Sequence, residues 1–398
     1  MTDLLSFEAA LAAVLERARP LPSERVPLEA AAGRVLAEPA RAAVDLPPFP
    51  SSAMDGFAVR SADTPGTLPV VIRIAAGRPS PRPLEPGEAM AIATGAVVPA
   101  GADSVIPHEY VFQHDNSVEI PSRSPAGANV RPVGRDIAAG DVVVEAGARL
   151  RSVHLGALAA AGVADVVCTQ RPRAAVLTTG TELRRPGEAL GPGEIYEANG
   201  LMLATQLAAA GAEVERFAAV ADDEEAHRAA IARGLGFDVL VTSGGVSVGP
   251  HDLVRRVEAE FGVEEVFWRV AVKPGKPVSF GVCGSTLVFG LPGNPVSSLV
   301  SCELFVRPAL LALQGATEPG PRFEPGRLAR SLRRDPGRTE LVRARTADDG
   351  DGVVLDPVTG QESHMIARAA GADALVLVPR GDGELPAGAP VRYLRLTA

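Results

Sequence analysis

Residues 237–252 read FDVLVTSGGVSVGPHD: a branched apolar run ends at Ser243, Gly244 and Gly245 follow at once, and Gly249 precedes Pro250. The run predicts a buried strand, and the glycines predict a turn or a close backbone approach at its carboxyl end. Pro250, His251 and Asp252 suit the first turn of a helix, where proline needs no N–H and an acid complements the helix dipole. The spacing fits neither GxGxxG nor GxxxxGK[ST], which counts against the dinucleotide and P-loop readings.

The flanks repeat the theme. AAVLTTG, ANGLMLATQLAAAG, AEVERFAAV and DDEEAHRAAIARGL precede this stretch, and HDLVRRVEAEF follows Gly249 and Pro250, so strands and helices alternate from Ala174 onward. Such alternation means βαβ units and a mostly parallel sheet covered by helices on both faces. VSFGV and STLVFGLPG add a hairpin, and PVSSLVSCELFVRPALL a closing helix.

Upstream, MTDLLSFEAALAAVLERARP repeats Leu4, Phe7, Leu11 and Val14 at helical spacing without a basic start, which predicts an amphipathic helix and not a signal peptide. Short branched runs bounded by Gly or Pro, from VVIRIAAG to SVEI, predict a β-rich region up to about Asp136. A strand, a helix on Val153, Leu155, Leu158 and Ala159, and an edge strand then lead back toward the N-terminal helices. The β-rich region therefore reads as an insertion in a discontinuous domain. The last eighty or so residues alternate again between turn signals such as DDGDG and RGDGEL, the pattern of a small β-barrel or sandwich.

At 398 residues the chain exceeds the length of one domain, roughly 100–200 residues. A net charge of −9 argues against a nucleic-acid or anionic-membrane binder and suits a soluble, cytoplasmic protein. The most apolar run is interrupted by Glu303, Arg307 and Pro308, so no membrane span is expected. Cys168, Cys283 and Cys302 form no CxxC pair and read as buried apolar residues in a reducing compartment.

Ligands of open α/β sheets bind beyond the carboxyl ends of the strands. Three stretches fall there. LTTGTEL offers Thr179, the open backbone of Gly180 and the carboxylate of Glu182, an acid of a type more often solvated than metal-bound. TSGGVSVGPHD offers the hydroxyls of Ser243 and Ser247 and the N–H groups of Gly244 and Gly245 for an anion. Asp252 reads either as a helix N-terminal acid or as a carboxylate beside a bound phosphate, which Mg²⁺ would then bridge. The third stretch pairs VKPGKP with LPGNPVSS: Lys273 and Lys276, the only lysines of the chain, sit on proline-stiffened backbone, and Pro292, Asn294 and Pro295 open a helix that Asn294 or Ser297 can cap. Asp55 in SSAMDGFAV, Thr94 at a strand end, Arg343 and Ser363 are unremarkable singly.

Taken together, PPFPSSAMDGFAVR, ATGAVVPAGADSVIPHE, NVRPVGRDIAAGDVV, LTTGTEL, TSGGVSVGPHD, VKPGKP and GLPGNPVSS occur in an order that resembles the molybdopterin molybdenumtransferases, the bacterial MoeA proteins and the C-terminal domain of gephyrin. The resemblance spans nearly the whole chain. It implies a multidomain α/β plus β fold: a helical connector over 1–42 and 137–172, an inserted β-rich domain over 43–136, a MogA-like molybdopterin-binding α/β domain over 173–315 and a C-terminal β-barrel over 316–398. It implies a homodimer with a cleft between subunits, adenylylated molybdopterin and molybdate as substrates, Mg²⁺ as cofactor, and contact with a MogA-type adenylyltransferase.

The implied metal and pyrophosphate carboxylates are Glu182, Asp252 and Asp222, with adjacent Asp223 an alternative to Asp222. Lys273 and Lys276 would neutralise molybdate or phosphate oxygens. Arg343 and Ser363 would line the same pocket from the last domain. Asp55, Thr94 and Asp136 would reach the cleft from the partner subunit, and Gly244, Gly245 and Ser247 would hold the pterin phosphate. Phe57 stands where the family often has tyrosine. The competing readings are a MogA-like adenylyltransferase and a non-catalytic molybdopterin-binding scaffold.

Overall fold

A computed structural model of the chain describes residues 4–221, 223–245 and 253–396. Its centre is a six-stranded sheet built from β1 (Arg173–Thr178), β2 (Glu213–Arg216), β3 (Val239–Ser243), β4 (Glu264–Trp268), β5 (Ser279–Cys283) and β6 (Thr286–Leu291), in the spatial order β2-β1-β3-β6-β5-β4. The first four strands of that order run parallel, with Ala174 opposite Val239 and Val239 opposite Leu287. The β5–β6 hairpin closes the sheet antiparallel, as its sequence requires.

Alternate residues of each strand feed two cores. Ala174, Val176, Val239, Val241 and Phe289 pack with Leu203 and Leu207 of α1 (Asn199–Ala209). Ala175, Leu177, Leu240 and Val288 face Ile231 of α2 (Glu224–Gly234) and Val254 and Val257 of α3 (Leu253–Glu260). Apolar strands covered on both faces are what a parallel sheet needs, and they explain why these runs lack polar alternation.

The closing helix is one rod from Pro295 to Leu313, 19 residues with mean hydropathy 1.6. It divides into α4 (Pro295–Ser301), a π-turn over Cys302–Val306 and α5 (Arg307–Leu313). Pro308 has no N–H to give, and its ring crowds the carbonyl of Leu304, so the ladder slips by one residue there. The sequence reading discounted this segment as a span; by length and composition it does qualify, but 78% of it is buried in the protein core. Glu303 is tolerated inside because Gln206 Nε2 donates to it at 2.9 Å and Arg307 lies 3.5 Å away.

The N-terminal helix Phe7–Arg17, capped by Ser6 Oγ accepting from Ala9 N, joins this same core. The Phe7 ring lies 5.9 Å from that of Phe305 and 6.3 Å from that of Phe323. Its apolar face thus packs on the α/β layer and not with the connector, to which the sequence reading assigned it. The connector cluster instead holds Val26, Leu36, Leu150, Leu158 and Cys168. It contains a single α-helix, Ser152–Ala160, and relies on strand pairs, Ser23–Pro27 with Asp165–Thr169 and Ala40–Arg41 with Val142–Val144.

Residues between these segments form a second six-stranded sheet, from Gly56–Val59 through Ser117–Ile120, with cores on both faces around Phe57 and Met90. At the C-terminal end five strands close into a barrel: Thr339–Asp348 pairs with both Val353–Pro357 and Ala374–Val378, and Phe323–Leu328 and Pro390–Arg395 complete the ring. Val272–Lys273, from the α/β segment, adds parallel to Thr339–Asp348 and ties barrel to sheet. Cys168 and Cys302 are buried as expected, whereas Cys283 is only half-buried.

Candidate functional site

The connection from β1 leads to β2 on one side and the next connection leads to β3 on the other, so the strand order reverses at β1. Beyond the carboxyl ends of β1, β3 and β6 lies a cavity of about 600 Å³. This is where an open α/β sheet presents its ligand site.

The three strand ends are laced together. Thr179 N donates to Ser243 O at 3.1 Å, and Gly244 N donates to Leu291 O at 3.1 Å. Gly244 and Gly245 adopt φ of 98° and 68°, a region that favours glycine. A Cβ on Gly244 would stand 2.7 Å from the Thr179 carbonyl, and one on Gly245 would stand 2.5 Å from Val254 Cγ2. Close backbone approach is therefore required by the packing of this loop, independently of any ligand.

Of the sequence-nominated residues, Thr179, Gly180, Glu182, Ser243, Gly244, Gly245, Pro292, Asn294 and Pro295 line the cavity. Gly180 leaves room for the Glu182 carboxylate, which a Cβ there would meet at 2.6 Å. Asn294 occupies the N-cap position of α4 but makes no capping bond, so its side chain stays with the cavity. Ser247, Asp252 and Asp222 lie outside the described residues. Asp223 caps α2, its carboxylate accepting from Ala226 N at 2.8 Å.

Other nominated residues stand elsewhere. Lys273 pairs with Glu340 at 2.5 Å on the seam between sheet and barrel, and neither it nor Lys276 lines the cavity. Arg343 is a correction: it is fully buried, and its guanidinium donates to the carbonyls of Met365 at 2.9 Å, Gly360 at 2.8 Å and Glu362 at 3.2 Å. It braces a loop and faces no pocket. Ser363 likewise contributes its backbone, its carbonyl accepting from Val296 N of α4 at 3.0 Å.

Asp55, Thr94 and Asp136 also lie away from this cavity. Asp136 lines a second cavity, also about 600 Å³, with Arg131 and Arg135. The Asp55 carboxylate accepts from Thr94 N at 2.7 Å and Thr94 Oγ1 at 3.0 Å. Those two bonds hold its pKa below the ordinary aspartate range, with His108 adding a smaller pull in the same direction. A folded pKa lowered in this way leaves the bonds intact at neutral pH and breaks them only as pH falls through the lowered value. Thr94→Val removes one donor, so the Asp55 carboxyl resonance is expected to titrate at higher pH in the variant; an unmoved midpoint would refute the assignment.

Among the lining residues that the sequence does not single out are Asn199, Glu197 and His364. Asn199 Nδ2 donates to Ser243 Oγ at 2.9 Å and Gly293 O at 2.8 Å, tying the start of α1 to two cavity loops, while its Oδ1 is buried without a partner among the described residues. Glu197 accepts from Gly200 N at 2.6 Å and supplies a second carboxylate. His364 comes from the barrel. Their signals were thin: Asn199 reads as an ordinary helix start, and His364 sits beside Ser363 without a motif of its own.

A switch-point cavity walled by glycine loops, a serine hydroxyl and a helix start defines an α/β ligand-binding protein with added β domains. Three family models match in series: MoeA N-terminal region (domain I and II) over 5–162, probable molybdopterin binding domain over 175–312, and MoeA C-terminal region (domain IV) over 325–396. The chain is 36% identical over 412 residues to molybdopterin molybdenumtransferase 2 of Mycobacterium tuberculosis, covering 100% of both chains. It is 34% identical over 396 residues to the molybdopterin molybdenumtransferase of Haemophilus influenzae, covering 98% of each. Among solved structures, a molybdopterin biosynthesis MoeA protein of Pyrococcus horikoshii superposes with TM-score 0.81 at 32% identity over 100% of both chains. The chain belongs to the molybdopterin molybdenumtransferase (MoeA) family.

Proposed function

We propose that this chain is a molybdopterin molybdenumtransferase that inserts molybdate into adenylylated molybdopterin, releasing AMP and molybdenum cofactor. The observation that carries the reading is the cavity at the β1/β3/β6 edge, inside the segment matched by the molybdopterin binding model. The Gly244–Gly245 loop holds the pterin phosphate, with Gly245 N–H as its donor because the N–H of Gly244 is already bonded to Leu291 O, and Ser243 and Asn199 fix the loop. The dithiolene sulfurs belong to the substrate, so the protein needs no cysteine cage for molybdenum.

Mg²⁺ fits this donor set in a limited sense. It is commonly bound by one or two carboxylates plus substrate phosphates and water, and Glu182 stands at the cavity in a form suited to that. No cluster of three acids, histidines or cysteines occurs among the described residues, so a dedicated protein cage is not offered there. Glu182, with Asp252 and Asp222, would hold the ion, which when bound supplies charge neutralisation at the pyrophosphate. Glu182 and Glu197 alone would repel an anionic substrate, which gives a cation at this position a physical reason.

We place the domain limits at 43–136 for the inserted β-rich domain, 173–315 for the MogA-like α/β domain, 316–398 for the barrel and 1–42 with 137–172 for the connector, whose first helix, Phe7–Arg17, packs on the α/β layer. Asp55, Thr94 and Asp136 then reach the cleft from the other subunit of a homodimer, and Lys273 and Lys276 meet molybdate at the seam with the barrel. The dimer is supported by the helix Ser152–Ala160: it is apolar, yet only Leu158 is buried, and Val153 is 64% exposed. An apolar helix left bare on a single chain is expected to be covered in the assembly. Val153→Glu is expected to weaken the dimer by about 2 kcal/mol, seen as a shift toward monomer in sedimentation at unchanged melting temperature; a dimer of wild-type strength would count against this face.

The protein is proposed to act in the cytoplasm and to receive its adenylylated substrate from a MogA-type adenylyltransferase. The test is direct. Purified protein supplied with adenylylated molybdopterin, Mg²⁺ and molybdate should release AMP in step with cofactor formation; no AMP, under conditions where a Haemophilus influenzae relative releases it, would overturn the reading.

A further inference from the structure

We propose that His364 is an anion-binding residue of the α/β cavity, delivered from the C-terminal barrel by a strut built on the buried Arg343; this rests on the reading of that cavity as the site of a phosphate-bearing substrate. Among the described residues lining the cavity, His364 is the one side chain able to carry positive charge, against the carboxylates Glu182 and Glu197. Its ring can donate a hydrogen bond to a phosphate or molybdate oxygen in either protonation state, and charge makes that bond stronger.

The placement of His364 is over-determined by its loop. Arg343 Nη1 donates to Met365 O, immediately after His364, and Nη2 donates to Gly360 O and Glu362 O before it. Gln361 locks the same turn from the other side, donating from Nε2 to Arg343 O at 2.9 Å and Val358 O at 2.8 Å. A further tie crosses to the α/β layer, where Val296 N donates to Ser363 O at 3.0 Å. That bond sits one residue from His364 and one residue from Pro295 of the cavity wall.

A buried guanidinium that donates to neutral carbonyls is a poor packing choice. Burial pushes its pKa down, with only Glu362 acting the other way, and an apolar side chain would fill the space without that desolvation cost. Its fan of donors does what no apolar residue can: it fixes several carbonyls of one irregular turn at once. Arg343 is thus a positioning residue, and His364 is the group it positions against substrate.

The experiment measures the dissociation constant of molybdopterin for the full-length protein by fluorescence titration, with wild type, His364→Ala, Arg343→Lys and the double variant. The expected result is a weakening of about tenfold for His364→Ala, the scale of one charge-assisted hydrogen bond, at an unchanged melting temperature. Arg343→Lys should weaken wild type comparably yet change the His364→Ala background less than about twofold, because its effect passes through His364. A His364→Ala protein that binds like wild type, or an Arg343→Lys penalty equal in both backgrounds, overturns the inference while leaving the proposed function standing. Wild type that fails to bind molybdopterin overturns both.

Discussion

Gly244→Ala is expected to lower turnover by about 100-fold without unfolding the protein. The backbone of Gly244 has φ 98°, and an added Cβ would stand 2.7 Å from the Thr179 carbonyl and 2.8 Å from Thr179 Oγ1. Both atoms belong to the end of β1, which is itself tied to β3 through Thr179 N and Ser243 O. Relief can come only by moving Gly244 away from Leu291 O, to which its N–H is bonded, or by lifting the Thr179 turn. Either movement displaces a wall of the cavity, and a misplacement of about 1 Å costs on the order of 100-fold in rate.

Gly187→Ala is the matched control. Gly187 has nearly the same φ, 96°, but a Cβ there meets nothing within 4 Å. It therefore imposes the backbone strain, about 1–2 kcal/mol, without the collision and away from the cavity. Steady-state AMP release from the two variants separates the effects. A Gly244→Ala enzyme within threefold of the Gly187→Ala enzyme would show that loop strain, and not the shape of the cavity wall, sets the rate.

Much of this cavity was legible because a parallel sheet writes its ligand edge into the chain. Each apolar run is followed at once by the residues that line the edge, so Thr179, Gly180, Ser243, Gly244, Gly245 and Pro292 could be found by reading past the end of each strand. Depth was not legible. Arg343 lies in LVRARTAD between Val342 and Ala344, and only the family resemblance implies a ligand-facing position for it. Val342 and Ala344 point into the barrel, while Arg343 lies on the same face of the strand as Leu341, which joins the core shared with the α/β layer. That outer face is covered by the 358–365 loop, so alternation alone misjudges what Arg343 meets.

Packing partners were equally hidden. The periodicity of Phe7, Ala10 and Val14 specifies a helix with one apolar stripe, but nothing local says whether that stripe meets the connector or Phe305 of the α/β layer. Asn294 shows the converse case. Its place before Pro295 signals a cap, and only the structure reveals that the side chain leaves the capping bond unmade. The proline-stiffened backbone around Lys273 suits an anion ligand, but its Glu340 partner comes from a strand more than sixty residues away, brought alongside by barrel pairing.

Arg343→Met is expected to loosen the barrel's cavity-side loop by about 2 kcal/mol, which appears as a roughly thirtyfold loss of amide protection confined to that loop and its moorings. Methionine fills much of the volume of the arginine stem but donates nothing, so the carbonyls of Gly360, Glu362 and Met365 lose their shared donor. Buried acceptors left unmet cost about 1–3 kcal/mol each, and relief from desolvating the guanidinium offsets part of that sum. The loop therefore opens while the barrel core, built on Leu355, Ala374, Val376 and Tyr393, stays closed. Hydrogen exchange followed by mass spectrometry should show the loss in peptides carrying Val358 N, bonded to Arg343 O, and Val296 N, bonded to Ser363 O. Peptides from Ala374–Val378 should keep wild-type protection. Equal loss in both regions would mean that Arg343 supports the barrel as a whole, and no loss in either would mean that Gln361 and the Ser363 mooring hold the loop without it.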